Sequence, residues 1–340
     1  MIDTNLIIGR LGSGKTTAIK HFLKNKPENE NWAIIINEFG QIGIDAALLN
    51  TGDSDSLTIT EISGGCICCA AQTQLRVTLT KLIRQYRPER IIIEATGLGH
   101  PAGIIDLLRD EYLQRIISIN SIITFIDVTL FTQSSTKPSA NSALASESFS
   151  QQLQLADIIV LNKSDLSTDA HFQHANSYLQ RLYPKKQTIL SATQAQIDIK
   201  WLSHISNVEQ DNALSGPTGA QYHSASDAFD FKGLSIQRFR SESGHYFSFG
   251  YILPASAVFN RIQMLNFIHG LLQDQSISIE RLKAVLNCRQ HWYGFNAVNN
   301  KTSVTESFYR RDNRIEFISA NKQLCTEQIE HGFLCQLTSI

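Results

Sequence analysis

The sequence contains no run of about 18 consecutive apolar residues, the length that a membrane-spanning helix requires. Its first ten residues, MIDTNLIIGR, have no basic region ahead of a long apolar segment, so no secretory signal is expected. An excess of basic charge is also absent, because 30 Lys and Arg residues face 31 Asp and Glu residues. Neither nucleic acid nor an anionic membrane is therefore expected as a partner.

Cysteine is sparse, with 6 in 340 residues, and its spacing does not fit a secreted disulfide framework. Cys66, Cys68 and Cys69 fall within one short segment, and adjacent cysteines rarely bridge because the ring strains the backbone. These absences together predict a cytoplasmic protein with reduced thiols.

Apolar and amphipathic segments alternate between residues 5 and 205. The apolar segments rich in β-branched residues are predicted to be strands, at 5–9, 32–37, 57–62, 90–95, 121–128, 157–162 and 187–192. Several are continuously apolar, as strands of a parallel sheet covered on both faces are. Leucines at helical spacing predict a helix over 70–86 that faces the core. This alternation predicts the α/β class, with a doubly wound, mostly parallel sheet in a domain of residues 1–206.

The pattern changes after a polar stretch at 207–226, which is predicted to be a linker. Beyond it, alternating segments predict antiparallel strands, whereas 256–272 and 278–287 are predicted to be helical. Residues 227–340 are therefore expected to form a smaller α+β domain. Because this half of the sequence carries no visible catalytic motif, we expect it to bind a protein partner.

The segment GRLGSGKTT, residues 9–17, fits the phosphate-binding pattern G-x-x-x-x-G-K-[ST] between a predicted strand and a predicted helix. Its backbone N–H groups would hold the phosphates, Lys15 would reach the β- and γ-oxygens, and the Thr16 hydroxyl would ligate Mg²⁺. A plain glycine-rich turn is the alternative, but it does not explain the flanking strand and helix. The predicted nucleotide-binding residues of this loop are Gly9, Gly12, Ser13, Gly14, Lys15, Thr16 and Thr17.

The segment NKSD, residues 162–165, follows an apolar strand and predicts which base is bound. The Asp165 carboxylate can accept from N1–H and N2–H₂ of guanine, a donor pair that adenine lacks. Asn162 can bond the base edge, and the stem of Lys163 can lie over the face of the base. A helix N-cap at Ser164 or Asp165 is the alternative, but the position after a phosphate-binding loop favours GTP.

A second acidic ligand for Mg²⁺ is expected at the end of another parallel strand, where Glu94 is followed by Gly97 in EATG. The N–H of Gly97 would face the γ-phosphate, whereas the alternative is a strand-end carboxylate without a metal. The segment NEFGQIGID, residues 37–45, has the composition of a switch loop, in which Glu38 or Asp45 would contact Mg²⁺ or the attacking water. The predicted catalytic residues are Lys15, Glu38, Asp45 and Glu94.

Gly64 and Gly65 precede the three clustered cysteines and would let the backbone bend so that the thiolates converge. In a straight strand, side chains two residues apart stand too far apart to hold one small ion. Thiolates suit Zn²⁺ or Cu(I), and three of them leave one coordination position open for transfer. Inert buried thiols and a redox role are the alternatives.

The phosphate loop, NEFGQIGID, GGCICC, EATGLGHP and NKSD occur in this order, and with these motifs the chain resembles the CobW-like family of metal-handling GTPases over residues 5–205. Weaker similarity continues through HYFSFGYILP and RLKAVLNCRQHWYGFN. The resemblance implies slow GTP hydrolysis coupled to loading of a divalent metal, often zinc, onto a client protein. It also implies metal binding by Cys66, Cys68 and Cys69 and a Walker-type role for Glu94.

Two positions depart from the pattern of that family. Gln41 stands where Glu is frequent and His100 where Asp is frequent, which leaves a metal role at both positions open. A His-rich tract is missing as well, so storage of many metal ions is not expected.

We therefore predict a GTP-hydrolysing metallochaperone that uses GTP, Mg²⁺ and Zn²⁺, with Co²⁺ as an alternative metal, and binds a client metalloprotein through its C-terminal domain. A P-loop ATPase or kinase acting on a small molecule is one alternative. A zinc-regulated GTP-binding sensor with negligible turnover is another. The sequence also leaves open whether the chain forms a homodimer.

Overall fold

The computed structural model describes the chain in segments, which are 1–38, 57–63, 69–95, 101–132, 144, 146–184, 186, 188–203, 228–243, 246–274, 277–298, 301–321 and 324–338. Within them, the backbone alone is described for 37–38, 57–63, 69–74, 241–243 and 246. The chain divides into two compact units, Met1–Ser206 and Asn207–Ile340. The predicted linker at 207–226 lies outside the described residues.

The described part of the first unit contains seven strands and five α-helices. In chain order these are β1 Ile2–Gly9, α1 Lys15–Lys24, β2 Trp32–Glu38, β3 Leu57–Ser63, α2 Cys69–Tyr86, β4 Arg90–Ala95, α3 Pro101–Leu108, β5 Ile117–Asp127, α4 Glu147–Leu155, β6 Ile158–Asn162, α5 Asp169–Leu179 and β7 Thr188–Ala192. The strands form one sheet in the order β3-β2-β4-β1-β5-β6-β7, and all neighbours are parallel. The predicted doubly wound α/β fold is confirmed.

The parallel sheet is apolar on both faces because helices cover both sides. Every residue of β4 and of β6 is buried, and α1 contributes Ala18, Ile19 and Phe22 to the core. β1 and β5 begin earlier than the sequence predicts, since Ile2 pairs with Ile117 at the start of both strands. Chain order reverses at β1, which lies between β4 and β5. In such sheets, ligands bind in the crevice at the carboxyl ends of the strands beside this point.

A buried polar network lies toward the opposite, amino-terminal end of the sheet. The Asn5 amide donates to the Leu202 carbonyl over 2.7 Å, and its oxygen accepts from Arg90 Nη1 over 2.7 Å. Arg90 also pairs with Asp3 at 3.1 Å. Burial lowers the pKa of Arg90, against the opposing effect of Asp3 and Glu30. The network therefore joins β1 and β4 to the 3₁₀ helix Ile199–Leu202.

Replacing Asn5 by leucine should lower the free energy of unfolding of this unit by about 2–3 kcal/mol, because a buried Arg90 donor and the Leu202 carbonyl each lose a partner. Urea unfolding monitored by tryptophan fluorescence measures the change. The matched control is Asn25→Leu, at an exposed residue, which should stay within about 0.5 kcal/mol of the wild type. Equal effects of the two substitutions would contradict a stabilising role of the network.

The second unit is built on an antiparallel sheet. Its elements are β8 Ala228–Phe231, β9 Leu234–Ser243, β10 Tyr246–Pro254, α6 Arg261–Gln273, β11 Ile279–Cys288, β12 His291–Val298, β13 Lys301–Ser307, β14 Asp312–Ser319 and α7 Thr326–Leu334. The strand order is β13-β12-β11-β14-β10-β9-β8. Phe333 of α7 stacks on Phe259 at 5.1 Å between ring centroids. The α+β class predicted for this half is confirmed.

The predicted helix over 278–287 is wrong, because Ile279–Cys288 forms the strand β11. Leu282, Ala284 and Leu286 are buried at every second position, and β11 is bonded to β12 on one side and to β14 on the other. Tertiary pairing thus overrides the helical propensity of this segment. The other predicted helix is present as α6 and begins after Asn260, whose side chain accepts from the N–H groups of Ile262 and Gln263.

Candidate nucleotide and metal site

The phosphate-loop segment connects β1 to α1 at the carboxyl edge of the parallel sheet. Gly14 precedes the first helical residue with a left-handed φ of 106°, and a Cβ there would collide with the Asn162 side chain. Gly9 has a φ of 146°, and a Cβ there would meet the Phe125 carbonyl. Both positions therefore require glycine. Gly12 is also left-handed, and the Ser13 N–H closes the loop onto the Arg10 carbonyl over 3.1 Å.

Lys15, Thr16 and Glu94 meet above this loop. Lys15 Nζ donates to the Arg10 carbonyl over 3.2 Å and lies 4.0 Å from Glu94 Oε1. The Thr16 hydroxyl donates to Glu94, at 3.2 Å from Oε1 and 3.4 Å from Oε2. The side chains of Lys15 and Glu94 are both buried. Parallel strands bring their carboxyl ends to one edge, and this places the strand-end glutamate beside the loop as the sequence predicts.

The residues at this point fit a magnesium ion bound with phosphate. Thr16 and Glu94 offer a hydroxyl and a carboxylate, the hard oxygen ligands that Mg²⁺ prefers. The buried hydroxyl of Ser13 has no hydrogen-bond partner within the described part of the chain, and a bound phosphate would supply one. Thr17 follows in the first turn of α1 with an exposed side chain.

The ends of β2, β3 and β4 lie in register beside Glu94. Ile36 pairs with Glu94, and Asn37 pairs with both Ala95 and Ile62. On β3, Glu61 pairs with Ile36 and is therefore level with Glu94, two strands or about 10 Å away. β3 ends at Ser63, so the connection that contains the clustered cysteines begins two residues beyond this level.

Several predicted site residues have no side-chain description. Glu38 is the last residue of β2, and Cys69 is the first residue of α2. The predicted residues outside the described part of the chain are Gln41, Asp45, Cys66, Cys68, Gly97 and His100. Their roles remain predictions.

Asn162 joins the phosphate loop to the segment after β7. Its amide nitrogen donates to the Ser13 carbonyl over 2.8 Å, and its oxygen accepts from the Ala195 N–H over 2.7 Å. Gln194 and Ala195 have left-handed φ angles of 51° and 56°. A contact of Asn162 with the base edge stays a prediction, and the observed bonds add a structural role that the sequence did not reveal.

The remaining NKSD residues form a short exposed turn. Ser164–Leu166 is a 3₁₀ helix preceded by Lys163 in the left-handed conformation, and α5 begins after Thr168. Neither Ser164 nor Asp165 therefore caps a helix, contrary to the structural alternative. The Ser164 hydroxyl lies 2.7 Å from the Thr193 hydroxyl, and the Asp165 side chain is exposed.

Asp127 was not identified from the sequence as a site residue. It is the last residue of β5, a position similar to that of Glu94, which is the residue before the last in β4. Its carboxylate pairs with Lys163 Nζ at 2.7 Å. Burial alone would raise the pKa of Asp127, but hydrogen bonds from Lys163 and Thr129 outweigh it and lower the pKa. Asp127 therefore stays ionised at neutral pH and keeps the Lys163 ammonium in place.

The parallel sheet, the glycine-requiring phosphate loop with Lys15 and Thr16, and the NKSD turn define a P-loop nucleotide-binding domain of the GTPase class. The family profile described as CobW/HypB/UreG, nucleotide-binding domain, matches residues 3–190. The chain belongs to this family, and the resemblance inferred from the motifs is confirmed.

Two curated relatives and one solved structure illustrate the similarity. The zinc chaperone YeiR of Escherichia coli (strain K12) is 35% identical over 330 residues, covering 95% of this chain and 94% of the relative. The zinc chaperone CobW of Sinorhizobium sp is 30% identical over 214 residues, covering 58% of this chain and 60% of the relative. The crystal structure of Zn(II)-bound YjiA GTPase from E. coli aligns over 98% of both chains, with 20% identity and a TM-score of 0.43.

None of the described helices is both long enough and apolar enough to cross a membrane.

Proposed function

We propose that this protein is a GTP-hydrolysing metallochaperone that binds zinc through Cys66, Cys68 and Cys69 and releases it to a client protein. The observation that carries the proposal is the strand register, in which β3 leads into the cysteine-bearing segment and ends two residues beyond the level of Glu94. The descriptions of YeiR and CobW as zinc chaperones support the choice of metal. The second unit is proposed to bind the client.

The chain's own residues divide the work at the phosphates. The Lys15 ammonium would move away from the Arg10 carbonyl and Glu94 and bind the β- and γ-oxygens of the nucleotide. Thr16 and Glu94 would hold Mg²⁺, the carboxylate directly or through water. When bound, this ion would supply positive charge that offsets the charge developing on the phosphate oxygens. Guanine would be selected by the exposed carboxylate of Asp165.

Coupling would follow from the two switch segments at 37–45 and 95–103. These segments continue from β2 and β4, whose ends are in register with the end of β3. Contacts with a γ-phosphate would order them and change the geometry of the thiolates, and hydrolysis would reverse the change. Nucleotide and metal affinities must then influence each other equally, because coupling free energy is reciprocal.

Zinc affinity should differ at least about fivefold between the complex with a non-hydrolysable GTP analogue and the complex with GDP. Competition with a chromogenic zinc chelator under reducing conditions measures both affinities. The same titration without nucleotide, and with an ATP analogue, serves as the control. Equal zinc affinities in the two guanine-nucleotide complexes would contradict coupling, and displacement of GDP by equimolar ADP would contradict guanine selection.

A further inference from the structure

Asp127 occupies a fixed position beside the base-recognition turn. It is the last residue of β5 and pairs in register with Asn162, the last residue of β6. One carboxylate oxygen accepts from the Thr129 N–H over 3.0 Å and from the Thr129 hydroxyl over 2.6 Å. The other oxygen accepts from Lys163 Nζ over 2.7 Å.

The surroundings of Asp127 keep its carboxylate from moving. Asp127 is the N-cap of the 3₁₀ helix Val128–Leu130, and Val128 and Phe131 are fully buried in a hydrophobic cluster with α4 and α5. The carboxylate is thus held by a strand on one side and by a packed turn on the other. A flexible lysine side chain that pairs with it loses its freedom before any ligand arrives.

Lys163 has little else that would orient its side chain within the NKSD turn. Its backbone is left-handed, with φ 63° and ψ 39°, and its side chain makes no cap hydrogen bond. The exposed fraction of the Lys163 side chain is 34%. The four-carbon stem is therefore partly open to solvent, while its charged end is anchored on Asp127.

We propose that Asp127 is a positioning residue for the base, which acts by anchoring the Lys163 ammonium so that the lysine stem forms an apolar surface for one face of the ring. This inference rests on the proposed GTP-dependent function. Affinity and selectivity then depend on different residues. Contact of the Lys163 stem with the ring face would add affinity for any purine, whereas Asp165 would select guanine through hydrogen bonds to the edge of the base.

The division of tasks leads to a specific expectation for GDP and inosine diphosphate, two ligands that share a ring face but differ in the exocyclic amine that Asp165 would bind. Asp127→Asn should weaken binding of both by about fivefold, the effect of losing a partly exposed, charge-assisted hydrogen bond. The ratio of the two affinities should stay within about twofold of the wild-type ratio, since Asp165 is unchanged.

Two substitutions at Lys163 test the anchor itself. Lys163→Met keeps an apolar stem but loses the charged end, so it should bind both ligands as weakly as Asp127→Asn. Lys163→Arg keeps a cation that can pair with Asp127 and should therefore lose less affinity than Lys163→Met. In the double variant with Asp127→Asn and Lys163→Met, the second change should have no further effect, because the two residues act as one unit.

Isothermal titration calorimetry of the full chain with each ligand gives these affinities, and thermal melting verifies that each variant is folded. Wild-type affinity in Asp127→Asn or in Lys163→Met would overturn the inference, as would additive losses in the double variant or a collapsed affinity ratio. If Asp127→Asn does not fold, the two Lys163 variants still decide between the outcomes. A wild-type protein that binds neither ligand would instead refute the proposed function.

Discussion

Replacing Lys15 by alanine should lower the rate of GTP hydrolysis by about 100- to 1000-fold, the usual effect of deleting one preorganised donor at a transition state. The Lys15 ammonium is buried, and it is held by the Arg10 carbonyl and lies near Glu94. It is therefore already positioned and largely desolvated where phosphate charge would develop. Single-turnover hydrolysis at saturating protein measures the effect, because it separates chemistry from weakened binding.

The matched control for this prediction is Lys24→Ala, at the exposed last residue of the same helix. It removes the same charge from the same element and should leave the hydrolysis rate within about twofold, because a surface charge this far along the helix has little effect. A Lys15 variant that retains more than a tenth of wild-type activity would contradict a catalytic phosphate loop. Negligible turnover of the wild type itself would favour the GTP-binding sensor.

Changing Cys66, Cys68 and Cys69 together to serine should lower zinc affinity by more than about 100-fold. Removing outer-shell partners of a metal already costs about 10- to 100-fold, and this change removes the proposed ligands themselves. Cobalt(II) provides a direct spectroscopic readout, because thiolate ligation gives an intense near-ultraviolet charge-transfer band that the serine variant should lose.

The chain contains its own control for this experiment. Cys288, Cys325 and Cys335 are equal in number and lie in the second unit, where all three thiols are free. Changing these three to serine should leave zinc affinity and the cobalt spectrum unchanged. Burial raises the pKa of Cys288 to about 11, which makes this thiol a poor metal ligand and supports the expectation. If the second set of substitutions lowers affinity as much as the first, the assignment of the metal to the clustered cysteines is wrong.

The parallel sheet could be predicted because its strands carry a strong local signal. Segments such as RIIIEA are almost continuously apolar and β-branched, a composition that indicates a strand covered on both faces. In the structure this strand is buried along its whole length. The segment 278–287 lacks this signal. Its leucines and lysine suit a helix, and only the pairing of β11 with β12 and β14 makes it a strand. Pairing of this kind depends on residues distant in sequence, which local periodicity does not report.

The same distinction applies to the candidate site. Lys15, Thr16 and Glu94 were predictable because motif spacing and parallel strand ends bring them to one edge. The sequence did not predict the hydrogen bonds that join Asn162 to Ser13 and Ala195, nor the ion pair between Asp127 and Lys163. They cross between loops whose separation is set by the packing of the whole sheet. The sequence did show an aspartate, Asp127, at the end of the strand that precedes the NKSD strand. An acidic residue at the end of a strand beside the NKSD strand can therefore indicate a partner for the lysine of the turn.

The Asn162 amide also limits how this domain can be re-engineered. One side chain bonds the backbone of the loop at Ser13 and the backbone at Ala195, and Gly14 leaves it no spare room. A graft of residues 162–165 from a protein with a different base preference would also loosen the triphosphate end of the cleft unless asparagine were retained at its first position. If the NKSD turn selects the base as proposed, base selection and phosphate binding are coupled through Asn162. An exchange of the turn must then include the phosphate loop and the segment at Ala195.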